Sequence, residues 1–166
     1  AVSGLTGSTE YRATFTPSGV GACSININGN VFTDAVGNNN SASSFFDWTF
    51  DNTSPTMTIT ASEGVDGFTS YDSTLSLTFT SSESTTNFAS GDITVSNGSI
   101  SNFSGSGTTY TATFTPSGQG ACTIDVAGGA FTDAVGNNNT AATQFNWTFD
   151  NVGPSVLYVT STTANG

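Results

Sequence analysis

The sequence has 166 residues with one Arg, no Lys, no His and twelve acidic residues, which gives a net charge of −11. Binding to phosphate backbones or anionic bilayers requires clustered Lys and Arg, so this composition excludes nucleic acid and direct membrane electrostatics. Thirteen Phe, four Tyr and two Trp are spaced through a chain rich in Gly, Ser, Thr and Asn. Disordered chains lack such residues, and the scarcity of Lys, Glu and Leu-rich helical patterning predicts an all-β fold.

Strands are predicted in chain order from alternating side chains at 55–62, 73–83, 92–96, 99–104, 108–116, 120–126 and 143–151. Between them we expect turns at 63–67 and 105–107, a polar loop at 81–91 anchored by Phe88, a hairpin at Asn97-Gly98, and a long loop at 127–139 plugged by Phe131. Seven or eight short strands with turn signals between them are typical of a β-sandwich with Greek-key connections.

An internal repeat organises these elements. Tyr11–Asn52 and Tyr110–Asn151 are identical at 29 of 42 positions, without a gap and at a constant offset of 99 residues. This period has the size of an independent domain and exceeds that of solenoid repeats. The frame predicts the C-terminal half of one repeat at 1–51, a complete repeat at 52–150 and the start of another at 151–166, as in a stretch of a longer chain.

Each repeat has one cysteine at the same position, Cys23 or Cys122. Equivalent points in successive domains lie too far apart for a disulfide, which needs Cα atoms within about 7 Å. Cys122 shares its strand face with Ile124 and Val126, so we expect a buried thiol that acts as a small hydrophobe. A cross-link between neighbouring chains is the alternative.

Four segments of the repeat also point to a family: the Asp and Pro of DNTSP, then ITVSNG, TTYTATFTP and AFTDAVGNNN. Together they resemble the bacterial immunoglobulin-like repeats found in tandem in large secreted adhesins and other surface proteins. The resemblance covers the complete repeat and both partial ones. It implies an extracellular, rod-forming immunoglobulin-like domain, often stiffened by calcium at the domain junctions, and it implies no reaction.

No catalytic residues are predicted. The chain has no His, its only cationic side chain is Arg12, and the equivalent position in the next repeat is Thr111. A nucleophile would therefore lack a base, and loop acids such as Glu63, Asp66 and Glu83 are usually solvated turn residues. We expect the protein not to be an enzyme.

Calcium is the main site hypothesis, because Ca²⁺ takes six to eight oxygen ligands from Asp, Glu, Asn and carbonyl groups in loops. The candidate ligands cluster near the predicted domain junctions: Asp34, Asn38, Asp51, Asn52, Glu63, Asp66, Asp133, Asn137, Asp150 and Asn151. A cation there would clamp neighbouring domains. The alternative is that Asp and Asn simply form turns.

Two other surface roles remain open. Asn-x-Ser/Thr acceptors occur about as often as this composition predicts by chance, and their positions favour Asn97, Asn138 and Asn146 for attached glycans. Trp48 and Trp147 alternate with Phe and are predicted to lie in the core. An exposed Trp147 would instead indicate a carbohydrate- or ligand-binding module.

The predicted function is structural. We expect an extracellular or cell-surface rod or fibre with no direct membrane insertion. Its partners would be neighbouring repeats of one long chain, as in an adhesin stalk, or identical protomers joined head to tail. The sequence does not separate these two versions.

Overall fold

The computed structural model describes residues 10–160, and the chain divides into two compact units, Ala1–Thr53 (unit 1) and Ser54–Gly166 (unit 2). Unit 1 contains the strands β1 (Gly21–Ile25) and β2 (Phe46–Phe50). Unit 2 contains β3 (Met57–Ala61), β4 (Phe68–Ser70), β5 (Leu75–Thr85), β6 (Ile93–Ser96), β7 (Gly98–Pro116), β8 (Gly120–Val126) and β9 (Phe145–Phe149). The only helical element among the described residues is the three-residue 3₁₀ turn Ser90–Asp92. The predicted all-β class is confirmed.

Side-chain alternation explains why these segments form strands. In β5, Leu75, Leu77 and Phe79 are at most 1% exposed, whereas Ser76 and Thr80 face solvent. A strand places successive side chains on opposite faces, so this pattern buries one face and leaves the other wet.

Unit 2 consists of two sheets. One has the strand order β3-β5-β7 with antiparallel pairs, and the other has the order β4-β9-β8-β6. In the second sheet β8 pairs antiparallel with both β6 and β9, whereas β4 and β9 pair in parallel. The chain therefore changes sheets repeatedly, as in an immunoglobulin-like sandwich.

The long element β7 folds back on itself. Asn102 Nδ2 donates to Thr113 Oγ1 at 3.3 Å, and the rings of Phe103 and Tyr110 stack with centroids 5.7 Å apart. Gly105 and Gly107 between these pairs have positive φ values of 137° and 67°. The turn predicted at 105–107 is present, and the first half of β7 lies beside its second half.

The predicted hairpin at Asn97-Gly98 is wrong, because β6 pairs with β8 and β7 pairs with β5. These two residues instead connect the two sheets. Asn97 has φ 51°, and its Nδ2 donates to the carbonyl of Gly118 at 2.8 Å. A Cβ atom on Gly98 would clash with the ring of Phe114 and lie 2.7 Å from the carbonyl oxygen of Thr115. The same dipeptide therefore suits a connection between two sheets as well as a hairpin turn, and its sequence does not distinguish the two.

The polar loop predicted at 81–91 begins later than expected, because β5 continues to Thr85. Its inward side chains there are polar: Ser81 is 3% exposed and Thr85 1%. Tyr110 is buried beside this segment, and its hydroxyl donates a hydrogen bond to the carbonyl of Thr85 at 2.8 Å. Burial raises the pKa of Tyr110. The sequence prediction relied on alternating apolar side chains, and at this end of β5 the inward positions have small hydroxyl side chains instead.

Aromatic residues dominate the core of unit 2. Trp147 is 1% exposed, contacts the rings of Phe68, Phe114 and Phe149, and donates from Nε1 to Ser70 Oγ at 3.1 Å. The predicted plug Phe131 is 1% exposed. Cys122 is fully buried, and both cysteines are free thiols.

Unit 1 has the pairing of β8 and β9 at the same register. Cys23 pairs with Trp48 as Cys122 pairs with Trp147. The apolar side chains of unit 1 are more exposed: Phe32 is 56% accessible and its equivalent in unit 2 only 1%.

Candidate functional site

The long loop between β8 and β9 is organised by Asp133. Its Oδ1 accepts hydrogen bonds from the backbone N–H groups of Val135, Gly136 and Asn137 at 2.9, 2.7 and 2.9 Å. Its Oδ2 accepts from Nδ2 of Asn137 at 2.8 Å. A positive φ of 101° at Gly136 lets the chain turn around the carboxylate. Asp133 and Asn137, two of the candidate calcium ligands, are therefore in direct contact with each other.

These contacts favour the charged form of Asp133. Burial opposes ionisation of this carboxyl group, but the hydrogen bonds from the side chain and backbone of Asn137 and from the backbone of Val135 and Gly136 outweigh it and lower the pKa. Asp133 is thus a carboxylate at neutral pH, held by its own loop.

Unit 1 has the same arrangement around Asp34. Its Oδ1 accepts from the N–H groups of Val36 and Asn38 at 3.0 and 2.9 Å, and Nδ2 of Asn38 donates to its Oδ2 at 2.9 Å. The Asn38 side-chain bond and the backbone bonds lower the pKa of Asp34. Because the two loops share these bonds, the local sequence determines their conformation.

A second anchor in these loops was missed in the sequence. Asn139 is 4% exposed; its Nδ2 donates to the carbonyls of Ala127 and Thr140 at 2.9 and 2.8 Å, and its Oδ1 accepts from the N–H of Phe131 at 2.9 Å. Asn40 makes the equivalent bonds in unit 1. The only signal was the run of three Asn, whose last member has no distinguishing property in sequence.

Two other candidate calcium ligands in unit 2, Glu63 and Asp66, accept hydrogen bonds from residues outside the Asp133 loop. Both oxygens of Glu63 accept from the N–H of Ser76 at 2.9 Å. Asp66 Oδ1 accepts from the backbone N–H and Nδ2 of Asn146 at 2.7 and 3.1 Å. These bonds use partners different from those of Asp133.

The remaining candidates are exposed or half-buried. Asp150 accepts from the N–H of Val152 at 3.0 Å, and Asn151 contacts the side chain of Gln119. In unit 1, Asp51 accepts from the N–H of Thr53 at 2.9 Å, and Asn52 is exposed.

One carboxylate does approach the Asp133 loop. Oxygen atoms of Glu83 and Asp133 lie within 4.8 Å of each other, a separation that a cation can bridge. Glu83 is half-buried near the end of β5. It was absent from the predicted calcium ligands because its loop was expected to be an ordinary polar connection.

The three candidate glycan acceptors differ in their surroundings. Asn138 is exposed. Nδ2 of Asn97 donates to the carbonyl of Gly118 at 2.8 Å, and Nδ2 of Asn146 donates to Asp66. A glycan replaces one hydrogen of this amide, so attachment at Asn138 disturbs fewer contacts than attachment at Asn97 or Asn146.

The geometry defines a class of protein: a Greek-key β-sandwich with an aromatic core and polar anchoring loops. A family comparison matches residues 51–149 to the bacterial Ig-like domain. The chain belongs to this bacterial Ig-like domain family. Searches of curated proteins and of solved structures gave no match.

Membership agrees with the resemblance read from the sequence, and it supports a structural, surface-type module. Domains of this family are typically non-enzymatic and often occur on surface proteins. In the part of the chain that the structure describes, no helix is long and apolar enough to cross a membrane.

Proposed function

We propose that this chain is part of an extracellular rod or fibre built from tandem Ig-like repeats, and that it performs no chemistry of its own. The observation that carries the proposal is the 99-residue offset, at which the β1–β2 and β8–β9 pairs have the same register. Tandem domains joined by short connections form extended structures when the connections limit bending. The partners are neighbouring repeats, or identical protomers head to tail.

The polar, weakly charged surface suits this role. Only 8% of the residues are charged, and Arg12 is the single cation. Such a surface offers little to anionic partners. An exposed Trp147 would have indicated the alternative, a carbohydrate- or ligand-binding module, and this side chain is instead 1% exposed and packed among aromatic rings.

Small-angle scattering on a chain of four complete repeats tests the proposal. The 11 residues of β5 span about 36 Å at roughly 3.3 Å per residue, so with loops each repeat is expected to add roughly 35–45 Å to the maximum dimension. A two-repeat chain is the control for the increment. A four-repeat chain no longer than the two-repeat chain would contradict a rod.

The mass of the native chain under denaturing, reducing conditions separates the two versions of the rod. A single species of very high mass indicates one covalent array, as in an adhesin stalk, and a species of a few repeats indicates assembled protomers. Chemical deglycosylation before the measurement tests the proposed glycans, because attached sugar adds a mass that the treatment removes.

We also propose that calcium binds near Asp133. The approach of Glu83 to Asp133 supports this site, and the lowered pKa keeps Asp133 charged. Calcium that binds only the folded state raises the melting temperature. We expect millimolar calcium to raise the melting temperature of the chelator-treated chain. The variant Glu83→Gln should show a smaller increase.

Glu63→Gln is the matched control, since Glu63 is bonded to Ser76 and not to the Asp133 loop. This variant is expected to keep the full calcium response, whatever its own stability. A wild-type midpoint unaffected by calcium would remove the metal from the proposal and leave the rod intact.

A further inference from the structure

The three residues that follow β9, Asp150 to Val152, are held on unit 2, and we name them the exit segment. The N–H of Asp150 donates to the carbonyl of Ser70 at 2.9 Å, which continues the parallel pairing of β4 with β9. Oδ1 of Asp150 accepts from the N–H of Val152 at 3.0 Å. This second bond is local, because Asp side chains commonly bond the backbone two residues further on.

Gln119, in the turn between β7 and β8, holds the exit segment from a distant part of the chain. It precedes Asn151 by 32 residues, and the side-chain amide groups of these two residues lie 2.7 Å apart. In the amide orientation that satisfies its neighbours, the side-chain oxygen of Gln119 accepts from the N–H of Val152 at 2.9 Å and from the N–H of Asn151 at 3.2 Å. Two successive backbone N–H groups therefore converge on one side chain.

The preceding repeat has the local bond but a different residue in place of Gln119. Asp51 accepts from the N–H of Thr53 at 2.9 Å, as Asp150 does from the equivalent residue of unit 2. The equivalent of Gln119 is Val20, which is 55% exposed. A valine side chain has no hydrogen-bonding group. The turn at the aspartate is thus common to both repeats, whereas the contact from Gln119 belongs to one of them.

A single residue, Gly153, lies between the exit segment and Pro154. Pro154 is the equivalent of Pro55, which is less than 2% exposed and whose carbonyl accepts from the N–H of Thr140 at 2.9 Å. A following repeat of the same fold would hold Pro154 in the same way. Glycine has the widest choice of backbone angles, and the preceding repeat has Ser54 at this position.

We propose that Gln119 is a junction clamp, which fixes the exit segment on its own repeat and confines bending between repeats to Gly153. The stiffness of a junction then depends on the residue at this turn position, because Gln restrains the exit segment and Val does not. Gln119 is not ionisable and contacts amide groups, so the clamp acts without calcium. The inference rests on the proposed rod and adds the side chain that sets the stiffness of one junction.

Backbone amide hydrogen exchange of this chain, measured by NMR, tests the contact. The reporter is the N–H of Asn151, because it donates to Gln119. The variant Gln119→Val introduces the residue that the preceding repeat has at this position, so the fold is expected to accept it. Exchange at Asn151 should become about two- to tenfold faster, which is the range expected for the loss of one hydrogen bond.

Two control variants separate the clamp from a general effect on the fold. Gln119→Glu keeps an acceptor oxygen at the same place and should keep most of the protection of Asn151. Gln144→Val removes an exposed glutamine just before β9 and should leave the exchange of Asn151 unchanged. Melting temperatures of all variants show whether unit 2 remains folded.

Small-angle scattering on the two-repeat chain tests the effect on stiffness. With Gln119 at the junction the chain should be more extended than with Gln119→Val, because a less restrained junction samples bent arrangements. The expected result is a lower radius of gyration for Gln119→Val and an unchanged one for Gln144→Val.

Two results would overturn the inference. One is equal exchange at Asn151 in the wild-type chain and in Gln119→Val. The other is faster exchange in Gln119→Val with no change in the radius of gyration, which would remove the link between the contact and stiffness. Failure of the rod itself is distinguishable: a four-repeat chain no longer than the two-repeat chain would refute the rod, whereas the exchange at Asn151 is measured on the present chain.

Discussion

Asp133 shows how one side chain determines the conformation of a loop. Its carboxylate accepts three backbone hydrogen bonds and one side-chain bond within five residues. From the sequence, Asp133 and Asn137 are candidate metal ligands, with turn formation by Asp and Asn as the alternative. The hydrogen bonds in the structure give them this turn-forming role.

Replacement of Asp133 by Asn should destabilise the fold at pH 7, because one acceptor oxygen becomes a donor and the charge is lost. The pKa of Asp133 is lower in the folded state than its ordinary value of 3.8. The carboxylate therefore stabilises the wild-type fold fully above pH 3.8, and this stabilisation is lost as the pH falls through the folded-state pKa. The difference in melting temperature between wild type and variant should therefore narrow at low pH.

Circular dichroism melts between pH 2.5 and 7 measure this difference. Asp125→Asn, on the outer face of β8, is the control for loss of a negative charge. A gap between wild type and Asp133→Asn that stays constant down to pH 2.5 would contradict the role of the carboxylate.

The Cys122 thiol should react slowly in the folded protein. Cys122 is fully buried and burial raises its pKa, although a hydrogen bond from Asn97 acts in the opposite direction. Since the thiolate is the nucleophile, iodoacetamide should modify Cys122 much faster in denaturant than in the native chain. Peptide mass spectrometry after timed labelling gives both rates, and equal rates would contradict the burial of the thiol.

At the scale of elements, alternation predicted the strands and failed where the chain changes sheets. β3, β5, β8 and β9 could be read from apolar residues at every second position. The connection at Asn97-Gly98 could not, because a hairpin and a sheet crossing use the same dipeptide. What distinguishes them is the packing of Phe114 against Gly98, a contact between residues sixteen positions apart.

Gly98→Ala should therefore destabilise unit 2, by about 1–3 kcal/mol as is typical of overpacking. The added methyl group meets the ring of Phe114 and the backbone of Thr115. Urea unfolding should show a lower midpoint with an unchanged slope. Gly91→Ala is the control, because no atom lies within 4 Å of its added methyl group; an equal effect of both substitutions would rule out the packing explanation.

At the scale of the whole molecule, the repeat provides its own comparison. Equivalent side chains occur in unit 1 and unit 2, but only unit 2 has both sheets among the described residues. The repeat, the fold class and the family could be predicted from sequence, since they depend on period and pattern. The approach of Glu83 to Asp133 depends on where β5 ends. The sequence did not predict this position, because the inward-facing residues near the end of β5 are polar and break the apolar alternation.

Phe131 and Val135 make the burial in unit 2 measurable. Phe131 is buried and its ring packs edge to face on Phe88 with centroids 5.3 Å apart, whereas Val135 in the same loop is 62% exposed. Phe131→Ala should cost about 3–5 kcal/mol of the unfolding free energy of unit 2. Val135→Ala should change it little. Denaturant unfolding of both variants gives the values, and equal costs would contradict the assigned burial.

The parallel pairing of β4 with β9 determines how unit 2 responds to tension. The register aligns Phe68, Thr69 and Ser70 of β4 with Trp147, Thr148 and Phe149 of β9. Strand β4 lies near the N-terminal end of the domain, and β9 lies near its C-terminal end. A pull on both ends moves parallel strands in opposite directions, so their hydrogen bonds are loaded together in shear instead of opening one after another. The short β4 strand would thus act as a mechanical latch, which must break before the β4-β9-β8-β6 sheet can unfold from its C-terminal strand.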